Sequence, residues 1–354
     1  MDFKDPFDGY QLTKHPSSAS SDPLSSAPNS PLQWRDLQPD VERILRGYKP
    51  LRQKDDTADV LRAFLKYLCK DAQTTLMREI KQFGDKPAEL RQLRNFLVDS
   101  ILKPMMMAGG KQPKSLTPSP VREVAFGIQL SMTQIEPSSR SDQSILKKRC
   151  LRRDNNRCIL TGMVDRAYFK SLPPQRRGDL IVCTTECAHI IPFALRKFDP
   201  NSAQETEVKA QIWVALERYF PFIKGKIGPE SINTPANAVT LRSDIHVQFG
   251  AFDISTETTA VAHKYSIYKS EPRDYVNRDI PPFVTLTQSD PAVEMPDPDF
   301  LRLHYQVSMI LKVSGIGEKL RKTIWENENS VDEIQPDGST DLGHIISRKM
   351  LMNV

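Results

Sequence analysis

Two histidines and an asparagine carry the strongest chemical signal in this chain. His189 lies in the run Cys187-Ala188-His189-Ile190-Ile191-Pro192, Asn237 opens the run Asn237-Ala238-Val239-Thr240-Leu241, and His246 sits in Asp244-Ile245-His246-Val247-Gln248-Phe249. A neutral imidazole accepts a proton near pH 7, so a histidine held in a cleft suits general-base work. A histidine in an apolar strand is by itself more often a satisfied core or surface residue. Their order along the chain is His, Asn, His.

Such residues act only where secondary structure aims them. The apolar run around His189 and the one after Asn237 predict two strands, and the residues from Asp244 to Phe249 predict a helix that opens near His246. Upstream, Ser144 to Asp154 predicts a helix, and Arg157 to Gly162 is an apolar run closed by a turn glycine. Between His189 and Asn237 lie 47 residues. Ile212, Trp213, Leu216 and Tyr219 share one face of a helix expected over 208–219, whose plain reading is a structural cover for the sheet. Two strands of a hairpin are expected at 250–254 and 261–268.

These motifs resemble the HNH nuclease family, and within it the HNH nuclease domain-containing proteins of filamentous fungi. Those pair an Ala-His-Ile-Ile-Pro strand with Asn-x-x-x-Leu and Asp-x-His-x-x-Phe; a Trp-x-x-Leu helix ending near Phe-Pro, here Phe220-Pro221, fills the gap between them. The resemblance implies an α+β fold, a ββα-metal core with added helices, over residues 144–270. It implies an endonuclease that hydrolyses phosphodiester bonds of DNA or RNA, with His189 as general base, His246 as a metal ligand and Asn237 as the residue that holds the site's shape or touches the metal. The ion expected is Mg2+ or Mn2+. Pro192, Leu241 and Phe249 belong to the fold rather than the chemistry.

One departure stands beside the likeness. Many relatives carry a metal-binding residue immediately before the base, where this chain has Ala188, which coordinates nothing. A sparse protein shell still suits Mg2+, which keeps several waters. Asp244 is a second candidate ligand, although residues two apart do not share a helix face and Asp also suits a helix N-cap. The alternative reading is an inactive module that keeps the scaffold and binds nucleic acid or a protein partner. Cys158, Cys183 and Cys187 lack paired Cys-x-x-Cys knuckles, so structural zinc is not expected.

Charge distribution agrees with a nucleic-acid partner. The chain of 354 residues has a net charge of +5, yet residues 142–180 hold ten Lys or Arg against four Asp. Phosphate contacts dominate nucleic-acid affinity, which makes Lys147, Lys148, Arg149, Arg152 and Arg153 candidate contacts, against the plain reading of a solvated helix face. Five cysteines without a disulfide framework favour an intracellular setting, nucleus or cytoplasm. No apolar window reaches membrane-span length, and the first residues lack a signal core.

The rest of the chain divides by composition. Residues 1–35 are Ser- and Pro-rich and are expected to be disordered. Over 36–103 apolar residues recur at helical spacing, as in Val60, Leu61, Phe64 and Leu68, then Leu76, Met77, Ile80 and Phe83, then Leu90, Leu93, Phe96 and Leu97. Packing of these helices on the downstream domain is preferred over docking to a partner. Residues 104–143 read as a Pro- and Ser-rich linker, 271–325 as an extended segment followed by helices that pack on the core, and 326–354 as an acidic flexible tail.

Overall fold

The computed structural model describes residues 31–107, 115–135, 143–196 and 198–329. Most of the two expected tails, 1–30 and 330–354, therefore lies outside the described residues. The N-terminal part is helical: α1 (Pro31–Gly47), α2 (Thr57–Tyr67), α3 (Lys70–Phe83), α4 (Pro87–Leu97) and the short α5 (Lys103–Met106). The apolar stripes read from the sequence are the buried faces of α2, α3 and α4. Met105 and Met106 are buried at the end of α5, as a short anchor.

Part of the expected linker is ordered. Residues 122–132 form α6 (Arg122–Met132), which packs along a later helix. Val124 and Ile128 are its buried residues, and Val121 is buried at its N-cap. They are too few and too closely flanked by Pro and Gly to stand out as a period in the sequence.

The remaining elements are α7 (Gln143–Arg153), β1 (Val164–Asp165), α8 (Arg166–Ser171), β2 (Val182–Cys183), β3 (Thr185–His189), α9 (Ala203–Tyr219), β4 (Ala238–Arg242), α10 (Ser243–Gly250), β5 (Ile254–Thr258), β6 (Lys264–Lys269), β7 (Phe283–Thr285), α11 (Pro298–Val313) and α12 (Ile316–Asn329). The fold is α+β, with three small sheets, β1-β2, β3-β4 and β5-β6-β7. The hairpin expected after His246 is β5-β6, shifted a few residues toward the C-terminus, and β7 joins it from the Pro-rich segment.

The β3-β4 pair is antiparallel and registers Glu186 with Leu241, Ala188 with Val239 and His189 with Ala238. Alternation gives each strand two faces. On one, Ala188, Val239 and Leu241 join Ile245 and Phe249 of α10 in the main core. On the other, Cys187 and Ala238 meet Leu146 and Cys150 of α7. The pair is thus sandwiched between two helices.

Polar contacts tie the N-terminal helices to this core. Glu79 of α3 accepts from Arg218 Nε at 2.8 Å and from the Tyr219 hydroxyl at 2.6 Å, both at the end of α9. Gln211 of α9 donates to Ser100 Oγ at 2.8 Å, and Lys319 of α12 reaches Asp56 at 2.9 Å. The helical segment is therefore packed against the downstream domain. Among the described residues no helix is long and apolar enough to cross a membrane.

Candidate active site

β3 ends at His189, β4 begins beside it at Ala238, and α10 starts directly after β4, with Ser243. One short strand pair and one helix therefore bring together histidines that lie 57 positions apart in sequence. The His189 ring stacks on Phe193, with centroids 4.8 Å apart, and its Nε2 lies 3.0 Å from Asn233 Oδ1. The ring keeps a partial opening to solvent. Its surroundings are nonetheless poor in water, and burial pushes its pKa down to about 4; the Asn233 bond acts in the opposite direction, and the nearby His246 and Arg196 add repulsion. At neutral pH the ring is therefore neutral and able to accept a proton.

The turn that carries Phe193 is fixed from behind by α9. Lys209 Nζ donates to Ala194 O at 2.9 Å and Trp213 Nε1 to Leu195 O at 3.4 Å, while Arg196 lies 3.9 Å over the Phe193 ring. Burial pushes the Lys209 amine down to about 7. The helix between the motifs is thus structural, and its structural work falls on the wall of the site.

Asn237 is fully buried. Its Oδ1 accepts from Ile191 N at 2.8 Å, and its Nδ2 donates to Ile191 O at 3.0 Å and to Ile232 O at 2.9 Å. Every hydrogen on its amide is used, so this side chain locks the exit of β3 to the loop that enters β4. Of its two expected roles, holding shape is the one these bonds perform.

His246 lies in the first turn of α10, and its Nδ1 contacts Glu186 Oε2 across from β3. That hydrogen bond holds Glu186 below the usual carboxylate range against its partial burial, and Ser243 and Lys147 add to the effect. A carboxylate on one ring nitrogen fixes ring orientation, the common arrangement behind a metal-ligating histidine. Glu186 was not among the residues the motif points to. The signal for it is strand alternation: two residues before Ala188 is the same face of the strand. Ala188 itself is fully buried against the core.

Asp244 is engaged elsewhere. Its Oδ1 accepts from Arg242 Nε at 2.6 Å and from Ile245 N at 2.8 Å. It stands inside α10 rather than at the cap position, which Arg242 occupies. The pairing with a cation makes it a poor metal ligand. Among the described residues, no group of three or more His, Cys, Asp and Glu side chains could hold a metal ion. The nitrogen and oxygen donors of His246 and Glu186 fit a hard ion that retains most of its water, and do not fit a closed four-ligand zinc site. Cys158 and Cys183 are buried thiols, and Cys187 packs against Cys150.

The basic residues of α7 separate into different fates. Lys148 and Arg149 are exposed. Arg152 is exposed but paired with Asp290, and Lys147 donates to Thr185 O at 2.9 Å. Arg153 is completely buried and must be removed from the nucleic-acid contacts. It makes five bonds: two to Asp154, and one each to the carbonyls of Pro235, Ala238 and Glu294. Asp154 in turn accepts from Thr240 N of β4 at 3.1 Å. The pair clamps the end of α7 to the strand that leads into α10.

An antiparallel strand pair crossed by a helix, with a neutral histidine at the strand end and a carboxylate-bound histidine in the helix, is the ββα arrangement that the resemblance to HNH nucleases implies. Residues 158–256, under a third of the chain, match the family model described as HNH endonuclease. The matched stretch contains His189, Asn237 and His246, along with Glu186 and Asn233. No curated protein and no solved structure matches the chain.

Proposed function

We propose that this protein is a metal-dependent endonuclease that hydrolyses phosphodiester bonds of DNA, with His189 as the general base, His246 as the residue that holds a divalent ion, Mg2+ or Mn2+, and Glu186 as the carboxylate that orients His246. The observation that carries this reading is the pair of histidines on one ββα unit in different electrostatic settings. His189 is desolvated and neutral, and His246 is bound to a carboxylate.

His189 takes a proton from the attacking water, which then adds to phosphorus opposite the departing 3′ oxygen. Phe193 holds the plane of the imidazole, and Asn237 keeps β3 and the incoming loop of β4 in register. A divalent ion, when bound, supplies the positive charge that stabilises the phosphate oxygens and the leaving 3′ oxygen. Lys148 and Arg149, exposed on α7, lie on the helix that covers the other face of the strand pair and suit backbone phosphates.

The expected outcome is cleavage of DNA by the purified protein in Mg2+ or Mn2+, abolished by chelation. Glu186→Gln should raise the ion concentration needed for half-maximal rate. A second reading, a non-cleaving module that binds nucleic acid, draws on Ala188 and on the small set of protein ligands. Retention of DNA binding with no cleavage in either ion favours it.

A further inference from the structure

We propose that Asn233 is a positioning residue for His189: its side-chain oxygen holds the ring as the Nε2–H tautomer and so makes Nδ1 the atom that receives the proton. The catalytic half of this proposal rests on the nuclease reading above, whereas the tautomer does not.

Asn233 Oδ1 lies 3.0 Å from His189 Nε2. An amide oxygen only accepts, so Nε2 must carry the hydrogen, and a neutral imidazole with Nε2–H has its lone pair on Nδ1. The other end of the same amide, Nδ2, is buried and meets no acceptor among the described residues. Nδ2 therefore does nothing to fix the amide's orientation, which rests on the contact of Oδ1 with the ring. A reversed amide would aim Nδ2 at Nε2, drive the proton to Nδ1 and leave the base facing the amide instead of the substrate.

The loop around Asn233 is held by Asn237. That side chain binds Ile191 N and O, two residues beyond His189, and Ile232 O, one residue before Asn233. Asn237 N also donates to Thr234 O at 3.0 Å. One buried amide therefore anchors both partners of the His189–Asn233 bond, and the two asparagines act in series. When Nδ1 takes a proton, the Nε2–H bond to Oδ1 becomes charge-assisted, so Asn233 also supports the protonated ring.

The test uses full-length protein with 15N-labelled histidine and reads the ring nitrogens of His189, assigned by the signal lost in His189→Gln. The expected wild-type spectrum at pH 7 has protonated Nε2 and bare Nδ1. Asn233→Leu should give mixed tautomers and a kcat lower by about 100-fold with KM little changed, as for a misplaced catalytic group. Asn233→Asp, which keeps the acceptor, should retain the tautomer and move the acid limb of the pH profile upward, since an anion favours the charged ring. Protonated Nδ1 in the wild type would overturn the proposal. So would an Asn233→Leu variant with unaltered tautomer and kcat or, if that variant does not fold, an Asn233→Asp variant with an unaltered ring and pH profile. Absence of cleavage by a wild type that shows the expected tautomer defeats the nuclease reading and the catalytic role with it, and leaves the tautomer assignment standing.

Discussion

The two sides of the β3-β4 pair use charge in opposite ways. On the α7 side, Arg153 and Asp154 are sunk in the protein, and all five donors of the guanidinium go to one carboxylate and three backbone carbonyls. On the α10 side, Glu186 and His246 pair across the strand-helix junction with part of each side chain open to solvent. A buried charge with every valence filled within the protein is a fastening. A charge paired at an accessible edge, beside a desolvated histidine, is equipped for chemistry. The same strand pair serves both because alternation sends successive side chains to opposite faces.

Substitutions should separate the two sides cleanly. The largest expected effect on stability belongs to Arg153→Ala, which leaves Asp154 and three carbonyls without their partner. Breaking a buried pair in this way costs about 3–5 kcal/mol, so urea unfolding should show a large loss or no folded protein. A variant that unfolds like the wild type would break the contrast.

Glu186→Gln should leave the urea midpoint nearly unchanged, while metal affinity falls by roughly 10–100-fold, the usual cost of losing such a partner. Titration of cleavage rate against Mn2+ measures it. A large loss of stability with no change in metal dependence would move Glu186 to the structural side.

pH sharpens the contrast further. His189 and His304 are pushed by burial to about 4 and about 3, against an ordinary value of 6.5. Below pH 6.5 the unfolded chain binds protons that the folded histidines refuse, so stability should decline as pH falls from about 6.5 toward 3. Thermal melts across that range check it. The two rings differ in setting: His304 is fully buried between Phe249 and Phe252, with Nε2 on Phe249 O at 3.0 Å, whereas His189 is only partly buried. If His189 is the base, kcat/KM should hold through pH 6 and fall only toward its own low pKa. An acid limb near 6.5 would point to a different group.

The smallest effect is expected from Lys148→Ser and Arg149→Ser. Each should lower the salt dependence of DNA binding by about 0.9 in slope, with little change in kcat. An unchanged slope would take α7 out of the interface.

Much of this arrangement could be read before the structure. The order His189, Asn237, His246 and the flanking apolar runs gave the strand pair, the helix and their connectivity, and the stripes of α2, α3 and α4 gave the N-terminal helices. Arg153 was hidden because a run of basic residues looks uniform. The helical period does separate it, since Leu146, Cys150 and Arg153 fall four and three residues apart on the face that is buried. Glu186 lies outside the motif because the position directly before the histidine is Ala188, whereas a strand presents every second residue to the same neighbour. Asn233 had no signal in the sequence, because its partner lies 44 residues away and the bond exists only once Asn237 has closed the loop.

The most direct test of the central claim is supercoiled-plasmid cleavage by purified wild-type and His189→Ala protein in Mg2+ and Mn2+, with thermal unfolding measured on the same samples. Nicked circles from the wild type, and a loss of about 100- to 10,000-fold in the variant at an unchanged melting temperature, are the predicted result. Wild type that cuts with neither ion, or a folded variant that cuts at the wild-type rate, would contradict it.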